Sequence, residues 1–178
     1  MAATAHHDHM PLYVLTQGNM LCTTEKMQIS TVLGSCVSVT MHSSNPRMAA
    51  ICHCMLPRPG LRHELEIYQR NPHRYVAVAL RSMAAFFSAS DVQPCDVEVK
   101  LFGGAEGVNI PGAQPALLQV GKANIEEATT LLRSLELRLR CSHVGGHQAR
   151  KLIFDTLTGD VWMKLLRNEE LQGKETHE

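Results

Sequence analysis

Two apolar, β-compatible runs fold back on one another across a short polar stretch, and this constrains the chain more than any other feature. They are Thr-Val-Leu-Gly-Ser-Cys-Val-Ser-Val-Thr-Met at 31–41 and Met-Ala-Ala-Ile-Cys-His-Cys-Met-Leu-Pro at 48–57. Between them lies His42-Ser43-Ser44-Asn45-Pro46-Arg47, whose Ser, Asn and Pro favour turns and whose Pro cannot donate to a sheet ladder. The spacing predicts a hairpin centred near residue 44. Pairing Met41 with Met48 sets Cys36 opposite His53, with Cβ atoms roughly 4.5–5.5 Å apart. A nucleophile then stands beside a base. A one-residue slip would turn His53 to the other face, so the pairing depends on register.

The chain has 178 residues, 44% of them apolar, which is enough for one well-buried core and short for two. We therefore expect a single domain over 11–167, with flexible tails at 1–10 and 168–178. Lys plus Arg and Asp plus Glu both number 17, so the net charge is zero. That gives no electrostatic case for nucleic acid or an anionic membrane as the main partner. No apolar run approaches the roughly 20 residues of a membrane span, and the N-terminus lacks the basic start and apolar core of a secretory signal. A cytoplasmic location is expected. There the six cysteines, 22, 36, 52, 54, 95 and 141, read as thiols rather than bridges.

Val76, Leu80, Met83 and Phe87 follow helical spacing and predict an amphipathic helix over 75–89. Val97, Val99 and Leu101 alternate with Asp96, Glu98 and Lys100, a half-buried strand running into Gly103-Gly104. Asn124 with Glu127 resembles a capping box that starts a second helix. Leu137, Leu139 and Cys141 make another alternating strand, and 152–157 with 161–166 a second hairpin turning at Gly159. This order of elements is α+β rather than a strict βαβ alternation. The Pro- and Arg-rich stretch 58–74 begins soon after His53 and reads equally as a binding loop or as a solvated surface connection with a helical turn at 63–68.

A free thiol titrates near 8.5, so it needs a neighbouring base or cation to become a good nucleophile. His53 fills either role, taking the thiol proton and returning it to a leaving group. Gly34 and Ser35 let backbone N–H groups near Cys36 point at a developing oxyanion. Ser30 and Thr31 both offer a hydroxyl to fix the imidazole tautomer. Cys52 and Cys54 flank His53 and raise a structural-zinc alternative. Strand alternation sends both to the face opposite His53, and no second closely spaced Cys/His pair completes four ligands, so no metal is expected.

Leu33-Gly34-Ser35-Cys36-Val37, His53 followed by Met55-Leu56-Pro57, Lys100-Leu101-Phe102-Gly103-Gly104-Ala105, Gly121 before Asn124, Gly145-Gly146 before Arg150, and Thr158-Gly159 occur in order. Together they resemble the CheD family of chemoreceptor glutamine deamidases. The resemblance implies hydrolysis of selected glutamine amides on methyl-accepting chemoreceptors, giving glutamate and ammonia in chemotaxis adaptation without a cofactor. By position Cys36 matches the nucleophile and His53 the general base. The third catalytic residue falls on Ser30 by ungapped counting, with Thr31 one residue on. The implied fold is a compact layered sandwich of mixed, largely antiparallel sheets flanked by helices, similar to deamidating toxins. Gln119, Ala123 and His143 depart from the usual family residues.

Receptor signalling regions are helical coiled coils, so a shallow, exposed Cys36 is expected. Arg62 and Arg70, with Gly103 and Gly104, are the candidate substrate-binding residues, and charge reversal at the two arginines is expected to weaken receptor capture. Membrane contact would come only through receptors. The alternative from another class is an adaptor that binds receptors and a CheC-type phosphatase without catalysis; a third is another cysteine hydrolase such as a protease.

Overall fold

The structure, a computed structural model, describes residues 10–60, 69–106 and 119–167. Arg62, the turn expected at 63–68 and most of both expected tails lie outside the described residues. In chain order the elements are β1 (Leu12–Val14), β2 (Met20–Thr23), β3 (Gln28–Leu33), β4 (Val37–Ser44), β5 (Arg47–Cys52), α1 (Val76–Ser88), β6 (Glu98–Gly103), α2 (Val120–Ser134), β7 (Leu139–Val144), β8 (Arg150–Asp155) and β9 (Val161–Leu165). A four-stranded sheet runs β1-β3-β8-β9 and a five-stranded sheet β2-β5-β4-β6-β7. Among the described strands, only β1/β3 and β6/β7 pair in parallel. The mixed, largely antiparallel sandwich expected from the sequence is the one observed.

Strand alternation sorts the layers. On β4, Val37, Val39 and Met41 pack with Val76, Leu80 and Met83 of α1 and with Leu131 and Leu132 of α2. Each large side chain buried this way contributes roughly 1.5–3 kcal/mol. The intervening Ser38, Thr40 and His42 are buried too, but on the other face, toward the four-stranded sheet. Ile29, Ala49, Ile51 and Phe154 fill that interlayer. The order is helices, five-stranded sheet, four-stranded sheet. The last sheet's outer face is open, with Val14 63% and Trp162 52% exposed. Among the described residues, no helix is long and apolar enough to cross a membrane.

The hairpin forms with a different register. Ser44 pairs with Arg47, Ser43 with Met48 and Met41 with Ala50, leaving Asn45-Pro46 as a two-residue loop with a cis peptide. His42 and Ser43, expected in the turn, instead continue β4 as buried residues. The ladder is offset by two residues from the expected one. An even offset preserves parity, so His53 keeps its face.

The run 31–41 is also not one strand. It breaks at Gly34-Ser35-Cys36, where the chain leaves β3 in one sheet and enters β4 in the other. Both halves are apolar and β-branched, and only Gly34 marks the crossing. The second helix starts at Val120, four residues before the expected cap. Gly121, Asn124, Ala128, Leu131 and Leu132 are its buried positions, so Asn124 occupies the inward stripe rather than the cap. The strands β1 and β2 were not anticipated; they are only three and four residues long and half-buried or exposed.

Candidate active site

The sheet-to-sheet crossing puts Cys36 at a corner whose three carbonyls are all held. Ala105 N–H donates to Gly34 O (2.9 Å), Asn124 Nδ2 to Ser35 O (3.2 Å) and Gly104 N–H to Cys36 O (2.8 Å). Gly103, at φ +108°, passes so close that a Cβ there would run into the Cys36 carbonyl oxygen. Among the described residues no acceptor takes the N–H of Ser35 or Cys36. The corner therefore presents amide donors while its acceptors are engaged. The thiol packs with Leu33, Phe102 and Leu152.

His53 follows β5 and is pinned through its backbone. Its N–H donates to Asn19 O and its carbonyl accepts from Gly18 N–H, both at 2.8 Å. The bridge between Val37 and Cys54 places Cys36 and His53 on the same face, diagonal rather than directly opposite. In a regular ladder such Cβ atoms lie roughly 7–8 Å apart or somewhat less, within reach of long side chains.

Thr31 Oγ1 lies 2.7 Å from His53 Nδ1 and donates to Leu15 O at 2.8 Å. A hydroxyl has one proton. With that proton directed at Leu15, the Thr31 oxygen is the acceptor for an Nδ1–H, the tautomer in which Nε2 carries no hydrogen. Nε2 is left with a bare lone pair, and among the described residues it is buried without a partner. Ile29, Thr31 and Leu33 are the inward residues of β3; Ser30, one position earlier, faces the other side of that sheet. A cavity of about 360 Å³ is lined by His53, Thr31 and Ser30 together with Leu15, Thr16 and Gln17.

Burial sets the protonation states. Cys36 is 9% exposed and His53 2%, so the expected shallow thiol is replaced by a buried one. The receptor-facing expectation overlooked that apolar Leu33, Phe102 and Leu152 close around the corner. Desolvation pushes the Cys36 thiol up to about 11, against the opposing effect of its own backbone N–H. Desolvation likewise holds His53 down to about 4, against the Leu15 carbonyl. Near neutral pH both groups are uncharged.

Cys52 and Cys54 lie in the helix-side core, on the face opposite His53. Gly104 meets both the Cys36 carbonyl and α2, where a Cβ on Gly121 would come within 2.7 Å of Gly104 O. Arg70 is exposed beside Asn71, whose amide packs against Gly18. Arg62 lies outside the described residues. His143 Nδ1 accepts from Arg150 Nε at 3.0 Å. Sequence reasoning missed Leu15 and Asn19, which act through their backbone carbonyls and leave no side-chain signal. It also misplaced Asn124, whose signal was a polar residue at a stripe position of an apolar helix.

The class this defines is a two-sheet α+β sandwich that buries a thiol, an imidazole and a hydroxyl between its layers. The family model described as CheD chemotactic sensory transduction matches residues 55–165. The chain is 38% identical to the "Probable chemoreceptor glutamine deamidase CheD" of Oleidesulfovibrio alaskensis, over 89% of this chain and 74% of that one. It is 36% identical to the "Probable chemoreceptor glutamine deamidase CheD 2" of Geobacter sulfurreducens, over 94% and 98%. The corresponding protein of Maridesulfovibrio salexigens is 37% identical over 78% and 82%. The chain belongs to the CheD family.

Proposed function

We propose that the protein hydrolyses side-chain amides of selected glutamines on methyl-accepting chemoreceptors, with Cys36 as nucleophile, His53 as general base and acid, and Thr31 as the group that orients the imidazole. The observation that carries this reading is His53 itself: Nδ1 bound to Thr31, Nε2 buried and unpartnered among the described residues. A buried polar atom left bare costs about 1–3 kcal/mol, which a bound substrate or the thiol proton would recover.

As the thiol approaches the amide carbon, Nε2 takes its proton and sulfur forms the new bond. The oxyanion is met by the N–H groups of Ser35 and Cys36, which no acceptor takes among the described residues. The imidazolium then gives its proton to the departing nitrogen, ammonia leaves and a thioester remains. Nε2 next takes a proton from water, hydroxide attacks the thioester and the thiol is restored. The balance is glutamine plus water to glutamate plus ammonia. Because both groups start neutral, the thiolate forms as the bond forms, not beforehand.

We place the reaction in the cytoplasm, where the unpaired cysteines suit a reducing environment. A CheC-type phosphatase is a further proposed partner; co-purification checks it. The test of the main reading is mass spectrometry of receptor cytoplasmic fragments incubated with the protein or its Cys36→Ala variant. A mass gain of Gln becoming Glu that requires Cys36 supports the deamidase. No gain with folded, reduced protein on cognate receptors overturns it in favour of the adaptor.

A further inference from the structure

We propose that Asn124 is a positioning residue for this reaction: its side-chain amide fixes the Ser35–Cys36 peptide so that the Cys36 N–H faces the reacting carbonyl oxygen. The inference rests on the reading of Cys36 and His53 just given.

Asn124 is fully buried on α2, among positions otherwise filled by Gly121, Ala128 and Leu131. An amide in such a stripe is costly unless its hydrogen bonds are made. Nδ2 makes two, to Ser35 O at 3.2 Å and to Met55 O at 3.1 Å, while Oδ1 is buried without a partner among the described residues. Both partners are acceptors, so the nitrogen must face them. Ser35 immediately precedes the nucleophile, and Met55 lies two residues past the base. One side chain thus ties together the two segments that carry the reacting groups.

This tie sits where backbone pairing is thin. The ladder between β4 and β5 runs from Ser44/Arg47 to Thr40/Ile51, and beyond it only the Val37/Cys54 bridge joins the strands. Between them, Val39 N–H reaches Cys52 Sγ at 3.4 Å instead of a carbonyl. Met55 and Ser35 lie past that last bridge.

The peptide plane supplies the second step. In a trans peptide the C=O of one residue and the N–H of the next point in opposite directions. Drawing the Ser35 carbonyl toward α2 therefore aims the Cys36 N–H away from α2. That N–H already favours the Cys36 thiolate and has no other acceptor among the described residues. The carbonyls of Gly34 and Cys36 are held by backbone N–H groups, which almost any sequence supplies. At Ser35 the holding group is a side chain, so residue choice at 124 decides the geometry.

The test compares Asn124→Ala and Asn124→Asp with wild type and with Cys36→Ala on receptor fragments, reading kcat and KM for glutamine conversion together with the pH profile of Cys36 alkylation by iodoacetamide. Losing a well-placed oxyanion donor costs about 10²–10³-fold in kcat; losing its support is expected to cost about 10–100-fold. KM should stay within about twofold and the alkylation profile should move to higher pH. Asn124→Asp, which sets a carboxylate against two carbonyls, should be the worse of the two. Should either fail to fold by circular dichroism, Asn124→Ser, which keeps one donor, carries the comparison with about a tenfold expected loss. Folded variants that melt lower but keep wild-type kcat and alkylation profile overturn the inference, leaving Asn124 a packing residue. Turnover that survives Cys36→Ala overturns the catalytic reading itself, whatever Asn124 does.

Discussion

Cys52, His53 and Cys54 are consecutive and buried, yet they belong to two different environments. The two thiols point into the core against α1 and α2 with Val76, Leu80 and Met83. His53 points the other way, into an interlayer that also holds Thr31, Ser38 and Thr40. One face of the five-stranded sheet is apolar against the helices, and the other buries polar groups among Ile29, Ala49, Ile51 and Phe154. Cys36 belongs to the second environment because the chain changes sheets beside it. Cysteine type alone says nothing about this; the layer does.

The largest expected effect would break that contrast if it failed. Cys36→Ala should lower kcat on receptor fragments by at least about 10³-fold, the scale of losing a covalent nucleophile. Cys52→Ala and Cys54→Ala should leave kcat within about twofold and cost about 1 kcal/mol each in denaturant unfolding, roughly one buried methylene-sized group. A large kcat loss from either core thiol, with the fold intact, would erase the distinction between the faces.

A finer version of the contrast runs along β3. Thr31 faces the interlayer and Ser30 the far side of its own sheet, although they are neighbours and both hydroxyls. Thr31→Val keeps the shape and removes the acceptor for Nδ1–H, so the imidazole tautomer is no longer fixed. A kcat loss of about 10²-fold is expected, within the range a mis-set general base costs. Ser30→Ala should change kcat by less than about twofold, and equal effects from both would mean that the hydroxyl at Nδ1 does not govern the base.

The alternating runs made much of the fold legible: the helix at 76–88, the strand into Gly103, the hairpin turning at Gly159 and the hairpin carrying His53 all follow their periodicity. The residues 42 and 43 misled because Ser and His are turn-compatible when exposed, whereas here tertiary burial draws them into β4. The corner at Cys36 was hidden for the opposite reason. Thr-Val-Leu and Val-Ser-Val both suit a strand, and no local rule says that they belong to different sheets. At the site, residue types pointed to the chemistry proposed above, but two nearby hydroxyls could not be separated without knowing which side of β3 faces His53. Asn124 looked like a cap because its polarity was read locally, while its partners lie 89 and 69 residues away.

The smallest expected effect concerns pH, and it tests whether the polar face is held by burial, as its protonation states imply. An unfolded histidine titrates near 6.5, whereas His53 stays neutral in the folded protein down to about 4. Between those values the unfolded chain binds the extra proton, so stability is full above about 6.5 and falls as the pH drops toward 4. From pH 7 to pH 5 the His53 contribution should decline by about 2 kcal/mol. Other groups titrate in the same window, so the quantity to measure is the difference in urea unfolding between wild type and His53→Gln at the two pH values. Cys36 gives the mirror image: with its thiol pushed up to about 11, alkylation should be slow at pH 7 and climb with each unit toward that value. Fast alkylation that is flat from pH 5 to pH 8 would mean a standing thiolate–imidazolium pair, and the two faces of the sheet would then differ by a fixed charge rather than by a poised proton.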